Sequence, residues 1–295
     1  MPELPEVETV RSGLEPVLRG RRFVRVDQRR KDLRFPLPER FAERLTGRRV
    51  TRLDRRAKYI LVHLDQGEVL AMHLGMTGRF VVSKPGRANG RTLGEYEYEH
   101  GKDARHDHLV FTMSGGAVVT YNDARRFGYM TLIPERELDQ DAFFSGLGVE
   151  PLGDDLDAAY LARRAQGKKA DLKAFLMDQR IVAGLGNIYV CEALFRAGLD
   201  PWMPAARLAT KTGKPTPAAE RLVPQIKAVL ADAIRAGGST LRDYRQADGS
   251  IGRFQNEFAV YGRDGQPCAK PRCRGTVRRK TQAGRSTFYC PVCQR

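Results

Sequence analysis

The 295-residue chain has no apolar run near the ~18 residues that a membrane helix requires, so no span is predicted. Cysteine is scarce: there are five, and four of them fall in the last 28 residues. That clustering argues against a disulfide framework and for a metal site in a reducing compartment. Acids are in deficit, with 35 Asp and Glu against 51 Lys and Arg, a formal charge of +16. An excess of this size points to a polyanion partner, most simply nucleic acid. Internal repeats and low-complexity tracts are also lacking, and 41% hydrophobic residues exclude a disordered chain. The opening Met1-Pro2-Glu3-Leu4-Pro5-Glu6 is acidic with no apolar stretch behind it, so no secretory signal is expected.

The pattern changes twice along the chain. Short β-branched or alternating runs at 22–27, 59–64, 69–74, 109–113 and 118–121 predict strands, and Ser114-Gly115-Gly116 predicts a hairpin turn. One helix is expected at the start: Pro5 suits a first helical position, and Val7, Val10, Leu14 and Leu18 share a face. Pro16 is expected to bend or stop it. The polar stretch Ser83–Ala104 predicts a long exposed loop, and 135–153 an irregular linker. Helical periodicity then runs over 160–166, 173–178, 187–197 and 218–236, with Gly198 and Gly237 at C-terminal cap positions. From residue 238 the text is strand-like again. Twelve Lys and Arg against four Asp and Glu give this tail half of the net charge in a fifth of the chain.

The tail ends in Cys268-Ala-Lys-Pro-Arg-Cys273 and Cys290-Pro-Val-Cys293. Two thiolate pairs of this spacing, joined by a hairpin, suit one tetrahedral zinc in a ribbon. Four protein ligands leave no open position, so the ion is structural, and it supplies folding energy that so short a segment lacks. A pair of disulfides is the competing reading, which the compartment argument disfavours. Cys191, inside a helical run, reads as a small buried hydrophobe. Arg278, Arg279, Lys280 and Arg285 between the knuckles would direct positive charge at a phosphate backbone.

The N-terminus is unusual for a basic protein. Glu3, Glu6 and Glu8 crowd it. The helix dipole accounts for Glu6 and Glu8, but less well for Glu3, which precedes the helix. Removal of Met1 before the small Pro2 would leave a secondary amine. An α-amino group has a pKa near ~7.7–8, so a neutral fraction exists at neutral pH. Such an amine can attack a sugar aldehyde carbon and form an iminium, with Glu3 moving protons. A second-position proline of no consequence is the plainer alternative.

Met1-Pro-Glu-Leu-Pro-Glu-Val-Glu-Thr9 resembles the N-terminus of the bacterial formamidopyrimidine-DNA glycosylases, which remove 8-oxoguanine and ring-opened purines. Five further segments agree, in the family's order: Arg55-Arg-Ala-Lys58-Tyr59, His73-Leu-Gly-Met-Thr-Gly78, Asp123-Ala-Arg-Arg-Phe-Gly128, Gly184-Leu-Gly-Asn-Ile-Tyr189 and Gly284-Arg-Ser-Thr-Phe-Tyr-Cys-Pro-Val-Cys-Gln294. The related endonuclease VIII branch usually carries Gly where Leu4 stands, which favours damaged purines. The resemblance implies an α+β multidomain fold: a two-layered β-sandwich flanked by helices (2–134), a linker (135–153), a helix–two-turns–helix domain (154–237), then a lesion-loop segment and zinc ribbon (238–295, finger about 260–294). It implies a bifunctional glycosylase and β,δ-lyase acting on damaged double-stranded DNA, bacterial and cytoplasmic, monomeric, with one structural Zn2+ on Cys268, Cys273, Cys290 and Cys293.

The resemblance also assigns residues. Pro2 is the nucleophile, Glu3 the proton donor, Lys58 the β-elimination group and Arg285 the δ-elimination and phosphate group. A triad of Met76, Arg125 and Phe127 fills the hole left by the flipped nucleotide. His106, Arg125, Lys168 and Asn187 are DNA contacts. Gln246–Gly252 matches the loop that closes over the damaged base. From composition alone, Met76 and Phe127 would read as core, and Lys58 as a solvated charge on a strand. Three departures stand out. The first knuckle has four intervening residues where the commonest family form has two, Ala124 replaces a frequent proline, and Ser83–Ala104 looks like an insertion whose acidic 95–99 is not expected on DNA. Two other readings compete: an endonuclease VIII-like enzyme for oxidised pyrimidines, and a non-catalytic zinc protein that binds DNA. The second leaves Pro2-Glu3 with Lys58 unexplained.

Overall fold

The computed structural model describes residues 2–83, 91–93, 103–239 and 254–295. The chain divides into two compact units, one of residues 1–145 with 236–255, the other of 146–235 with 256–295.

In the first unit, helix α1 (Leu4–Leu18) opens from an extended Glu3 and takes Pro5 in its first turn, where a missing N–H breaks no bond. Val7, Val10, Leu14 and Leu18 are buried, as their spacing predicts. Pro16 stops nothing at once: it sits in the last turn, and the helix runs two residues past it. Strand β1 (Phe23–Gln28) and helix α2 (Phe41–Leu45) follow. Then come β2 (Val50–Arg56), β3 (Tyr59–Leu64), β4 (Glu68–His73), β5 (Arg79–Ser83), β6 (Arg91–Leu93), β7 (Asp107–Met113), β8 (Val118–Asn122) and β9 (Tyr129–Pro134). They form a five-stranded sheet, β1-β7-β8-β5-β6, and a four-stranded sheet, β2-β3-β4-β9. Every pairing is antiparallel.

One core fills the space between the sheets. Ile60, Val62, Leu70 and Met72 meet Phe80, Phe111, Val119 and Tyr121, and α1 adds Val10 and Leu14. This is the two-layered sandwich expected. Strand β2 escapes sequence reading because Val-Thr-Arg-Leu-Asp-Arg-Arg is mostly charged and turned outward. The 83–104 stretch is not all loop: β6 lies in it and pairs with β5, Phe80 opposite Leu93. The acidic 95–99 lies outside the described residues.

The second unit holds α3 (Ala158–Ala165), α4 (Leu172–Met177), α5 (Asn187–Ala197) and α6 (Pro217–Arg235). Asp157 caps α3 by accepting the Tyr160 N–H, and Gly198 closes α5 at φ 70°. The tail is less strand-rich than its composition suggests. Among its described residues there is one hairpin, β10 (Arg278–Gln282) with β11 (Arg285–Tyr289), which turns through Ala283-Gly284, both at positive φ. Cys191 and Phe195 of α5 pack against Val260, Val277 and Phe288, so Cys191 is a buried hydrophobe. Among the described residues, no helix is long and apolar enough to cross a membrane.

Candidate functional site

Pro2 is buried directly before Glu3, which is 4% exposed. The chain is held there by Glu6. Its Oε2 accepts the Glu3 backbone N–H at 2.9 Å, and its Oε1 accepts the Ser239 N–H and hydroxyl at 2.8 and 2.9 Å. Glu8 instead faces two cations, Arg11 at 2.8 Å and Arg55 of β2 at 3.2 Å. Glu6 and Glu8 therefore have separate employment, and the helix dipole alone does not explain either.

Lys58 is not on a strand. It occupies the two-residue turn Ala57-Lys58 between β2 and β3, with Ala57 at φ 53°, and it is 6% exposed. A buried ammonium in a strained turn is no solvated charge. Beside it, Tyr59, His73 and Tyr129 stand opposite one another across β3, β4 and β9. They lie on the sheet face away from the core, because Ile60, Met72 and Met130 point into it. The His73 ring stacks on Tyr129 at 5.0 Å, and its Nδ1 accepts the Gly75 N–H at 3.1 Å, leaving the proton on Nε2. Burial, helped by the charges of Lys58 and Arg34, pushes the His73 pKa down to about 4. At neutral pH it is an uncharged N–H donor. The Tyr59 and Tyr129 hydroxyls meet at 2.5 Å, and burial raises both phenols above their ordinary range.

The two loops carrying Met76 and Arg125-Arg126-Phe127 are bound together by Asp123. This carboxylate is fully buried and accepts from the Thr77 hydroxyl, the Gly128 N–H (2.9 Å) and the Tyr121 hydroxyl (3.2 Å). The Thr77 hydroxyl oxygen in turn accepts the Arg125 N–H at 3.2 Å. The loops touch so closely that a Cβ on Gly75 would lie 2.3 Å from the Phe127 carbonyl carbon. Arg125 lies over the Phe127 ring at 4.5 Å. Phe127 is 40% exposed, one of the few large hydrophobic side chains turned to solvent among the described residues. His106 is partly exposed, and its carbonyl accepts the Asp123 N–H.

In the second unit, Asn187 is the first residue of α5. Its Nδ2 donates to the Ser286 carbonyl at 2.9 Å, and its Oδ1 is buried without a hydrogen-bond partner in the described structure. Ser286 follows the exposed Arg285, so one helix N-terminus and one hairpin tip share a contact. Lys168 is exposed just after α3. Glu192 of α5 is fully buried and accepts the N–H groups of Ala259, Val260 and Tyr261 at 2.8–3.0 Å, fixing the chain that enters the ribbon. The sulfurs of Cys268, Cys273, Cys290 and Cys293 lie within 4.8 Å of one another. Two pairs stand at 3.8 Å, the edge of about 3.8 Å that a tetrahedron of ~2.3 Å Zn–S bonds requires, and Cys273 and Cys293 stand closer, at 3.1 Å. Backbone N–H groups of Lys270 and Gly275 donate to Cys268 and Cys273. The four-residue first knuckle therefore still closes a zinc site.

The formamidopyrimidine-DNA glycosylase N-terminal domain matches residues 1–130, and the H2TH domain of the same enzymes matches 147–245. A zinc finger found in FPG and IleRS matches 265–295. Formamidopyrimidine-DNA glycosylase of Chelativorans sp. (strain BNC1) is 56% identical over 299 residues, covering all of both chains. The chain belongs to the formamidopyrimidine-DNA glycosylase family. That of Cereibacter sphaeroides (strain ATCC 17025) is 58% identical over 295 residues, again with full coverage. Among solved structures, the MutM (Fpg) protein of Thermus thermophilus superposes with a TM-score of 0.79 at 38% identity, covering 99% of this chain and 98% of that one. Lactococcus lactis Fpg in complex with abasic-site DNA gives 0.82 at 31% identity, with full coverage of both.

Within this glycosylase the predicted residues fall into separate groups. Pro2, Glu3, Lys58, Met76, His106, Arg125 and Phe127 belong to the first unit, and Lys168, Asn187, Arg285 and the four cysteines to the second. Gln246–Gly252 lies outside the described residues. Sequence reasoning missed His73, Asp123 and Glu192, the holding role of Glu6, and Lys173, whose buried ammonium donates to Ser286 and Thr287 beside Arg285. Glu6, His73 and Asp123 stood inside recognised motifs. Nothing in the sequence marks Lys173 as buried.

Proposed function

We propose that this protein is a base-excision repair enzyme that removes oxidised purines, 8-oxoguanine and formamidopyrimidines, from duplex DNA and nicks the strand at the resulting abasic site. It acts as a monomer in the bacterial cytoplasm, where its DNA substrate is. The observation that carries this reading is a buried Pro2-Glu3 entering α1 in the same unit as a buried turn lysine, Lys58. A DNA-binding zinc protein without chemistry has no use for either burial.

The chemistry follows from the residues. Once Met1 is removed, the Pro2 nitrogen attacks C1′ of the damaged nucleotide, the C1′–N bond breaks, and the base leaves with a proton that Glu3 supplies. The proline nitrogen gives up its proton, and the C1′–O4′ bond breaks as O4′ takes up a proton, which opens the sugar to an iminium; the iminium acidifies the C2′ proton. Loss of that proton, assisted by Lys58, expels the 3′ phosphate in a β-elimination, and a second elimination expels the 5′ phosphate, with Arg285 on the phosphate. Met76, Arg125 and Phe127 fill the space left when the nucleotide flips: the thioether and ring stack, and Arg125 pairs with the orphaned base. His106, Lys168 and Asn187 hold backbone phosphates, and the neutral His73 adds an N–H donor. Domain limits of 2–134, 154–237 and 238–295 divide these duties. The cysteine-bound zinc is structural and takes no part in the reaction.

A panel of duplexes tests the reading. Cleavage of strands carrying 8-oxoguanine or a formamidopyrimidine opposite cytosine is expected to exceed cleavage of undamaged duplex by orders of magnitude. It should also exceed cleavage of strands carrying oxidised pyrimidines. Preference for the pyrimidines would favour the endonuclease VIII-like alternative, and binding without cleavage the non-catalytic one.

A further inference from the structure

Lys173 is 2% exposed, one of the largest fully buried side chains in the protein, and the chemistry above does not use it. It lies on α4. Its ammonium donates to the Thr287 hydroxyl at 2.7 Å and the Ser286 carbonyl at 3.2 Å, both on β11. The same Ser286 carbonyl accepts from Asn187. The Thr287 hydroxyl donates to Gln282 Oε1 at 2.9 Å, on the opposite strand. Gln282 Nε2 then donates to Asp171 Oδ2 at 2.9 Å and to the Pro201 carbonyl at 3.2 Å. Gln282 pairs directly with Arg285 across the Ala283-Gly284 turn. Arg285 is therefore an exposed residue between two anchored points, Gln282 before the turn and Ser286-Thr287 after it.

A two-stranded hairpin has little stability of its own and leaves its outer edges unpaired. The cysteines hold the open end of this one. The tip is held by the network that centres on Lys173. We infer that Lys173 is a positioning residue: through Ser286 and Thr287 it fixes the hairpin tip so that Arg285 and the α5 N-terminus with Asn187 are presented together to the phosphate released in the second elimination. This rests on the reading of Arg285 given above.

The experiment uses the full-length, zinc-loaded protein lacking Met1, on an abasic-site duplex, and measures the ratio of β,δ- to β-elimination product. Borohydride trapping at Pro2 and zinc content are measured alongside. Arg285→Ala is expected to lower the ratio about tenfold. Lys173→Met is expected to lower it by a similar factor, and Thr287→Val, which keeps the shape and loses the hydroxyl that accepts from Lys173 and donates to Gln282, by a few-fold. In Lys173→Met and Thr287→Val, trapping yield and zinc content should be those of the parent. In the Arg285→Ala background, Lys173→Met should have no further effect on the ratio, because it acts through that arginine. If Lys173→Met does not fold, Thr287→Val alone decides the matter.

Parental ratios in Lys173→Met and Thr287→Val beside a lowered one in Arg285→Ala would overturn the inference. So would full additivity with Arg285→Ala, or equal loss of trapping and of the second elimination. A parental ratio in Arg285→Ala would remove the reading of Arg285 itself, and the inference with it.

Discussion

The two units hold their functional side chains around buried charges of opposite sign. In the sandwich, the loops bearing Met76, Arg125 and Phe127 close on the Asp123 carboxylate, which collects an N–H and two hydroxyl donors. In the helical unit, the tip bearing Arg285 closes on the Lys173 ammonium, which gives to a carbonyl and a hydroxyl. The difference follows from what each backbone leaves unsatisfied. A tight loop such as 123–128 turns N–H groups inward, and only an acceptor can meet them. The outer edge of β11 turns a carbonyl inward, and only a donor can meet it. In both places the exposed residue, Arg125 or Phe127 in one and Arg285 in the other, is cationic or aromatic and carries little of its own support.

Removing these supports one at a time tests the contrast. The largest effect concerns the end of the hairpin that neither charge holds. Stripping zinc with a strong chelator should unfold the ribbon, since structural zinc contributes on the order of 10 kcal/mol in small fingers. Limited proteolysis with mass spectrometry should then show cleavage confined to residues 260–295, with the sandwich still resistant. Next, Asp123→Ala strands the Gly128 N–H and two hydroxyls, and is expected to cost about 3 kcal/mol or more in denaturant unfolding. Asp123→Asn, which keeps the acceptor oxygen, should cost less. Gly75→Ala should cost about 2 kcal/mol, because its Cβ meets backbone and φ is 62°. It should also weaken binding to lesion duplexes more than a change outside the Met76 and Phe127 loops does.

His73 gives a smaller effect, spread over pH. Its folded pKa lies below its unfolded one, so between about pH 4 and 6.5 the unfolded chain takes up a proton that the folded chain does not. Stability should therefore rise with pH across that window. His73→Gln should flatten part of the rise in pH-dependent unfolding, the remainder coming from His63 and His108, whose pKa values burial also lowers. Smallest is Asp157→Ala, which removes the α3 cap and should cost about 1 kcal/mol by the same assay.

Much of this was legible in the sequence, for identifiable reasons. Helix α5 was readable to both ends because Asn187 follows Gly-Leu-Gly and Gly198 closes it. Strand β3 was readable because Tyr-Ile-Leu-Val-His-Leu is almost wholly buried. The zinc ligands were readable from spacing alone. Strand β2 was not, since its arginines mask the alternation, nor was β6, three residues inside a polar stretch. Lys58 was misplaced onto a strand because its turn depends on Ala57 at positive φ, which no residue type there announces. Asp123, Glu192 and Lys173 look like surface charges in the text. Their burial depends on partners between 2 and 114 residues away, side-chain contacts that periodicity does not contain.

The central claim is that the Pro2 amine attacks the sugar. Borohydride reduction of the protein with a duplex carrying 8-oxoguanine opposite cytosine, followed by peptide mapping, tests it directly. The account predicts a covalent adduct on a peptide that begins at Pro2. An adduct on Lys58 or another lysine would contradict it, as would the absence of any adduct from a zinc-loaded, Met1-free protein that cleaves the same duplex.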